Sequence, residues 1–152
     1  MTDPDRMNDT GTLSRMLYAI DRLDWAEIRR CFADQVRIDY TELSGGEPET
    51  LAADDLIARW RGLLPGFDAT QHMTGPVLLT SDERPGLRAD AHVRGYHRLG
   101  GETWAVHGHY IARIADGKIT ELTLQVFYQE GDLDLPATAT QRAATSPRPP
   151  RP

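Results

Sequence analysis

The chain is poor in cysteine and lysine. Among its 152 residues Cys31 is the one cysteine and Lys118 the one lysine. A lone thiol excludes a disulfide scaffold and a cysteine-rich metal site. No apolar run approaches the roughly 20 residues that span a bilayer. The opening Met1-Thr2-Asp3-Pro4-Asp5 lacks the apolar stretch of a signal peptide. Basic excess is missing as well: net charge is −6, which argues against a general nucleic-acid footprint. Lysine and arginine total 17, so sixteen are arginine, a bias that reads as GC-rich coding rather than function. These absences lead to the expectation of a soluble cytoplasmic protein with neither a nucleic-acid nor a membrane partner. No internal repeat is present. The length suits one domain, with a core large enough to leave room for a ligand pocket.

What is present divides into helical and alternating segments. Residues 1–9 are polar and expected to be loose. Leu13, Met16, Leu17 and Ile20 recur at helical spacing and predict a helix from about Thr12 to Leu23. Asp24 reads as the N-cap of a second helix, with Glu27 three residues on completing a capping box. Trp25, Ile28 and Phe32 mark its buried face. A third helix is expected from Ala53 to Leu64, stopped by Pro65-Gly66. The remainder alternates as strands: Val36 to Tyr40, Ala69 to Leu79 with a break at Gly75-Pro76, Leu87 to Arg98, Trp104 to Ile114, and Lys118 to Tyr128. Asp116-Gly117 is a hairpin signal. Leu122, Leu124, Val126 and Tyr128 should share the inner face of the last strand. Residues 131–152, rich in Pro, Ala and Thr, have few apolar side chains and are expected to be disordered, with a polyproline ligand as the alternative reading. The pattern predicts an α+β fold: a curved, mostly antiparallel sheet packed on three N-terminal helices as a cone. The pocket would lie between the sheet and the first and third helices. Its expected wall is Leu17, Ile20 and Trp60 from the helices, with Val93, Trp104, Val106 and Val126 from the strands.

A few polar residues break this pattern. Asp21 continues the apolar row of Leu13 and Leu17, where an unpartnered carboxylate costs several kcal/mol, of order, unless it reaches solvent at the helix end. His97 shares its strand face with Leu87, Ala89, Ala91 and Val93. Tyr40 follows Val36 and Ile38 inward and needs a hydroxyl partner. It can fill the core or donate to a carbonyl oxygen. His72 alone reads as an ordinary strand histidine, and His92 as solvated. His107 and His109 point off the apolar side. They form a His-x-His pair with no third ligand in sequence, so no metal is expected.

Asp21…Asp24-Trp25, Arg37-Ile38-Asp39-Tyr40, Thr70-Gln71-His72 and His97 together resemble the scytalone dehydratase branch of the SnoaL-like, nuclear-transport-factor-2-like superfamily, over about residues 10–130. The resemblance implies a cone-shaped α+β barrel, as a homodimer or homotrimer. It also implies that Asp21 orients His72 as a base, with His97 and Tyr40 as further catalytic groups. The same Asp–His pair is similar to that of the lindane dehydrochlorinase group. Steroid isomerases of the superfamily carry an acidic base near Tyr40, which argues against their chemistry here. Scytalone dehydratase itself has a tyrosine where this chain has Ile20, and a serine and an asparagine where it has Val106 and Gly108. The expectation is a cofactor-independent acid–base enzyme, a dehydratase, acting on a small hydrophobic carbonyl compound other than scytalone. A polyketide or terpenoid cyclase, an isomerase, a hydrolase and a non-enzymatic ligand-binding module are the alternatives.

Overall fold

The computed structural model describes the backbone of residues 4–152 and the side chains of residues 11–152. Helix α1 (Pro4–Arg22) begins well before the expected Thr12. Residues 4–9, expected to be loose, are thus part of its backbone, and residues 1–3 of that expectation lie outside the described residues. Leu13, Met16, Leu17 and Ile20 are all buried, as the spacing predicts. Asp24 caps α2 (Trp25–Arg30), its side chain accepting from the Glu27 amide. The reciprocal half of the capping box does not form, because the Asp24 amide donates to Ala19 O and the Glu27 carboxylate pairs with Arg30. Phe32 is buried but opens strand β1 (Phe32–Asp39) rather than closing the helix.

Two short elements were not expected, α3 (Thr41–Ser44) and β2 (Glu49–Ala52). Helix α4 (Ala53–Arg61) ends at Gly62, before the expected Leu64, and a 3-10 turn covers Leu64–Gly66. Gly75-Pro76 divides β3 (Ala69–Thr74) from β4 (Leu78–Thr80), and both pair with β5 (Leu87–Leu99). Long strands β6 (Glu102–Ala115) and β7 (Lys118–Gly131) follow. Asp116 and Gly117 both have positive φ, as the tight hairpin between them requires. The sheet runs β2-β1-β7-β6-β5-β3, with β1 parallel to β7 and the other pairs antiparallel. It is curved but not closed, so the cone is an open sheet with helices across its concave side.

Two corrections shape the pocket. The β6–β7 register shifts so that His107 faces Tyr128 while Gly108 faces Val126, leaving Phe127 as an extra residue. Alternation therefore inverts beyond Val126. Tyr128 turns outward and stacks on His107 with ring centroids 4.2 Å apart, while Gln129 turns inward. The expected inner face holds only as far as Val126.

The second correction is the C-terminal segment. Helix α5 (Leu135–Thr145) buries Leu135 and Ala139 against the core. Large side chains are not needed, because Gly66 lets the α5 backbone approach directly: a Cβ at Gly66 would lie 1.7 Å from Ala139 O. Arg142 pairs with Asp68, the Arg148 amide donates to Pro65 O, and its Nε donates to Phe67 O. The Arg151 amide donates to Arg22 O. Alanine's high helix propensity and its small volume explain a packed helix that hydrophobic content alone does not announce.

Gly66→Ala should therefore lower stability by about 1–3 kcal/mol through overpacking. The expected readout is a reduced urea midpoint at unchanged slope. A wild-type midpoint would show that α5 does not press on this turn.

Candidate active site

Asp21 lies in the last turn of α1. The helix ends in a paired cap, with the Asp24 amide donating to Ala19 O and the Leu23 amide to Ile20 O. Leu23 takes the left-handed conformation, φ 55°, that glycine usually supplies at this position. Its side chain is buried, which offsets the strain. A carboxylate at a helix C-terminus faces the unfavourable end of the dipole, so Asp21 needs other partners. It finds three on β3: Thr70 Oγ1 at 2.9 Å, the His72 amide at 2.8 Å and His72 Nδ1 at 2.7 Å.

Because a carboxylate only accepts, His72 Nδ1 carries the proton and Nε2 is the free nitrogen of the neutral ring. The His72 side chain is 9% exposed and lines the cavity. Across the strands it faces Gly95. A Cβ there would lie 3.4 Å from His72 Nε2 and 3.4 Å from His97 Cε1, so glycine leaves the space in which the two rings meet. Their centroids are 5.7 Å apart. His97 is buried beside Phe67 and Trp104. Its Nδ1 donates to Trp104 O at 3.1 Å, leaving Nε2 as an acceptor. Burial first, then the neighbouring His72, lowers its pKa from 6.5 to about 4.

Tyr40, the N-cap residue of α3 just after β1, and Tyr110 on β6 approach each other with hydroxyl oxygens 3.4 Å apart. Burial pushes the Tyr40 hydroxyl well above the ordinary phenol value, and burial also raises Tyr110. Gln129 accepts from Trp104 Nε1 at 2.8 Å. An indole N–H only donates, so the bonded Gln129 atom is its oxygen and the amide NH2 is directed elsewhere. Asp39, next to Tyr40, turns to the Thr41 amide and hydroxyl instead of the cavity.

These groups line a cavity of about 600 Å³. Asp21 supports it from behind His72, while His72, His97 and Tyr40 reach it directly. Of the expected wall, Ile20, Trp60, Val93, Trp104 and Val106 line it. Leu17 does not: it lies about one turn deeper and is sealed in the core. Val126 packs against the core beside the Phe127 bulge and does not reach the cavity either. Tyr110, within the expected strand Trp104 to Ile114, also lines it and was not among the expected site residues. Gln129, Leu133 and Ala137 reach the mouth through the bulge and α5, which sequence periodicity did not reveal. On the outer face His107 bonds Glu130 at 2.5 Å and His109 bonds Asp90 at 2.9 Å. Among the described residues no three His, Cys, Asp or Glu side chains form a metal-binding group. No helix among them is long and apolar enough to cross a membrane.

An open, curved α+β sheet around an interior cavity defines the nuclear-transport-factor-2-like class. Residues 10–115 match the model of the SnoaL-like domain, and the chain belongs to that family. Among solved structures it is similar to the Kfla4162 protein of Kribbella flavida, with 28% identity, 88% of this chain and 97% of that one covered, and a TM-score of 0.77. A proposed aromatic ring hydroxylase of Novosphingobium aromaticivorans gives 19% identity, 91% and 99% coverage and a TM-score of 0.72. A proposed scytalone dehydratase of the same species gives 16% identity, 84% and 90% coverage and a TM-score of 0.66. The last two, at such identity, show the shared fold. No curated protein matches the sequence significantly.

The lowered pKa of His97 has a consequence for stability. The unfolded chain protonates this residue near 6.5 and the folded chain only near 4. Between these values the unfolded state binds more protons, so stability rises with pH. The contribution is complete above 6.5 and disappears as pH falls through about 4. Nitrogen-15 NMR of labelled histidine should show His97 neutral and protonated at Nδ1 at pH 5. An imidazolium signal for His97 at that pH would contradict the buried, neutral assignment.

Proposed function

We propose that the protein is a cofactor-independent acid–base enzyme, a lyase of the dehydratase type, with the Asp21–His72 pair as its base. The supporting observation is the triple acceptance by Asp21, which holds His72 with Nε2 at an open cavity. The carboxylate fixes the tautomer and stabilises the imidazolium formed on proton abstraction. The substrate class is a small hydrophobic ring bearing a carbonyl and a β-hydroxyl. His72 Nε2 removes the proton α to the carbonyl, and the cavity's phenol groups stabilise the enolate oxygen. The C–O bond to the β-hydroxyl then breaks, the His72 imidazolium returns its proton to that oxygen, and water leaves. Neutral His97 offers an acceptor to the hydroxyl, so it holds this group rather than protonating it.

Reading the chain as an enzyme rather than a passive binding module draws on the open cavity. Trp60 and Trp104 form part of its wall, and Phe127 lies on the outer face at 58% exposure. A cyclase or isomerase would use the same base. The carboxylate nearest Tyr40, Asp39, is bound into its own turn, which disfavours an acidic base there.

The base can be tested before the substrate is known. The α-hydrogens of 1-tetralone in D2O, followed by proton NMR, should exchange about 10²-fold or more above buffer with the wild type. His72→Ala should return exchange to the buffer rate, and Asp21→Asn should lower it by at least about tenfold. Exchange by His72→Ala at the wild-type rate would remove the base assignment.

A further inference from the structure

One buried charge has no part in the chemistry described so far. Arg148 stands in the C-terminal segment after α5. Its amide donates to Pro65 O at 2.9 Å and its Nε to Phe67 O at 2.7 Å. Three residues on, the Arg151 amide donates to Arg22 O at 2.9 Å. The segment therefore crosses from the 3-10 turn before β3 to the end of α1. Asp21 joins the same two places, since it precedes Arg22 and binds Thr70 and His72. Both terminal nitrogens of Arg148 are buried, and among the described residues neither has a hydrogen-bond partner. Buried donors left unpaired are rare and costly, and a guanidinium stays charged.

Charge balance identifies its counterpart. Four charged groups act on Arg148: Arg151 from the same segment, Asp21 from α1, Arg142 from α5 and Asp68 from just before β3. Burial first, then Arg151, holds its pKa below the ordinary value, and Asp21 leads the groups that raise it. Asp68 already has a cation in Arg142 and accepts from the Gly100 amide as well. Asp21 has none among the described residues, where its partners are a hydroxyl, an amide and the His72 ring. A carboxylate without a cation thus lies near a buried cation without a carboxylate.

We infer that Arg148 is the buried counter-charge of Asp21, a positioning residue that acts on His72 from behind the carboxylate and makes the C-terminal segment part of the site. Charges in the interior are screened far less than at the surface, so the guanidinium acts without touching Asp21. It holds Asp21 ionised, as an acceptor for the His72 Nδ1 proton. It also opposes the imidazolium that His72 becomes on taking a proton, since like charges disfavour one another. The imidazolium is therefore a stronger acid and returns its proton to the departing oxygen more readily. This inference rests on the Asp21–His72 reading and adds a group that lies outside the cavity.

The test is the titration of His72, followed by nitrogen-15 NMR of the full-length, histidine-labelled protein and assigned by the signal missing from His72→Ala. Around His72 stand Asp21 on α1, His97 on β5, and Tyr40 and Tyr110 in the cavity wall. Glu47, Glu49, Arg59 and Asp134 complete the charged lining of the cavity. His97 is neutral above about 4 and burial raises both phenols, so these neighbours do not blur the titration. Removing a nearby cation favours the imidazolium, so Arg148→Met should move the His72 midpoint upward by about half a pH unit or more. Arg148→Gln keeps a donor for Phe67 O and should give the same shift, which covers the case in which the methionine variant does not fold. Arg148→Lys, which keeps the charge, should stay at the wild-type midpoint. The acidic limb of tetralone exchange should move with the midpoint. A merely structural role predicts the opposite sign, because loosening Asp21 from His72 lowers the midpoint. Circular dichroism checks that each variant is folded. The inference is overturned if the midpoint of the neutral variants is unchanged or falls, or if the lysine variant shifts with them. The titration needs no turnover. Wild-type exchange by His72→Ala would remove the base assignment and leave this charge coupling standing, whereas an unmoved midpoint would remove the coupling and leave the base assignment intact.

Discussion

The Asp21 carboxylate is the interaction on which the site and the edge of the fold both depend. β3 closes one end of the sheet, and an edge strand exposes unpaired amide groups. One of these, the His72 amide, is taken up by Asp21, which at the same time binds the His72 ring and the Thr70 hydroxyl. A side chain from a helix end thus does for the edge strand what a further strand would otherwise do. The same bonds determine which imidazole nitrogen faces the cavity. Orientation of the His72 ring is therefore a by-product of docking α1 onto the sheet. The left-handed Leu23 cap belongs to this arrangement, since it ends the helix where Asp21 meets β3.

The cavity is chemically two-sided. Imidazole nitrogens with free lone pairs lie where β3 and β5 meet, and the hydroxyls lie on β6 and at the start of α3. Each histidine has its Nδ1 proton committed, one to a carboxylate and the other to a backbone carbonyl. Burial keeps His97 neutral, so its Nε2 remains an acceptor. Gly95 lies between the two rings, where a Cβ would stand 3.3 Å from His72 Cδ2 and 3.4 Å from His97 Cε1. A ligand bearing both an acceptor and a hydroxyl is the natural complement.

Much of this was legible in sequence, for identifiable reasons. The helical row Leu13, Leu17, Asp21 exposed the carboxylate as an anomaly, and strand alternation placed His97 inward. The partner of His72 could not be read from its own strand, because it lies on a helix 51 positions away; family resemblance supplied the pairing. Three features had no local signal. Alternation cannot reveal that Phe127 is an extra residue, because the register is set by the partner strand. Hydrophobic content cannot reveal α5, whose packing depends on a missing side chain at Gly66. Leu17 belongs to the same apolar row as the cavity-lining positions, and only three-dimensional depth separates it from Ile20.

The Phe127 bulge makes strand length a determinant of the cavity mouth. Upstream of it, replacing a residue changes one position of the wall. A deletion at Phe127 would remove the extra residue and leave Tyr128 outward against His107 and Gln129 inward. A deletion at Gln129 with the bulge retained would instead bring Glu130 opposite Val106 and exchange a carboxamide for a carboxylate at the cavity mouth. For a lineage adapting this scaffold to new compounds, small insertions and deletions in the last strand would thus be a route to new ligand preferences that leaves Asp21 and His72 untouched.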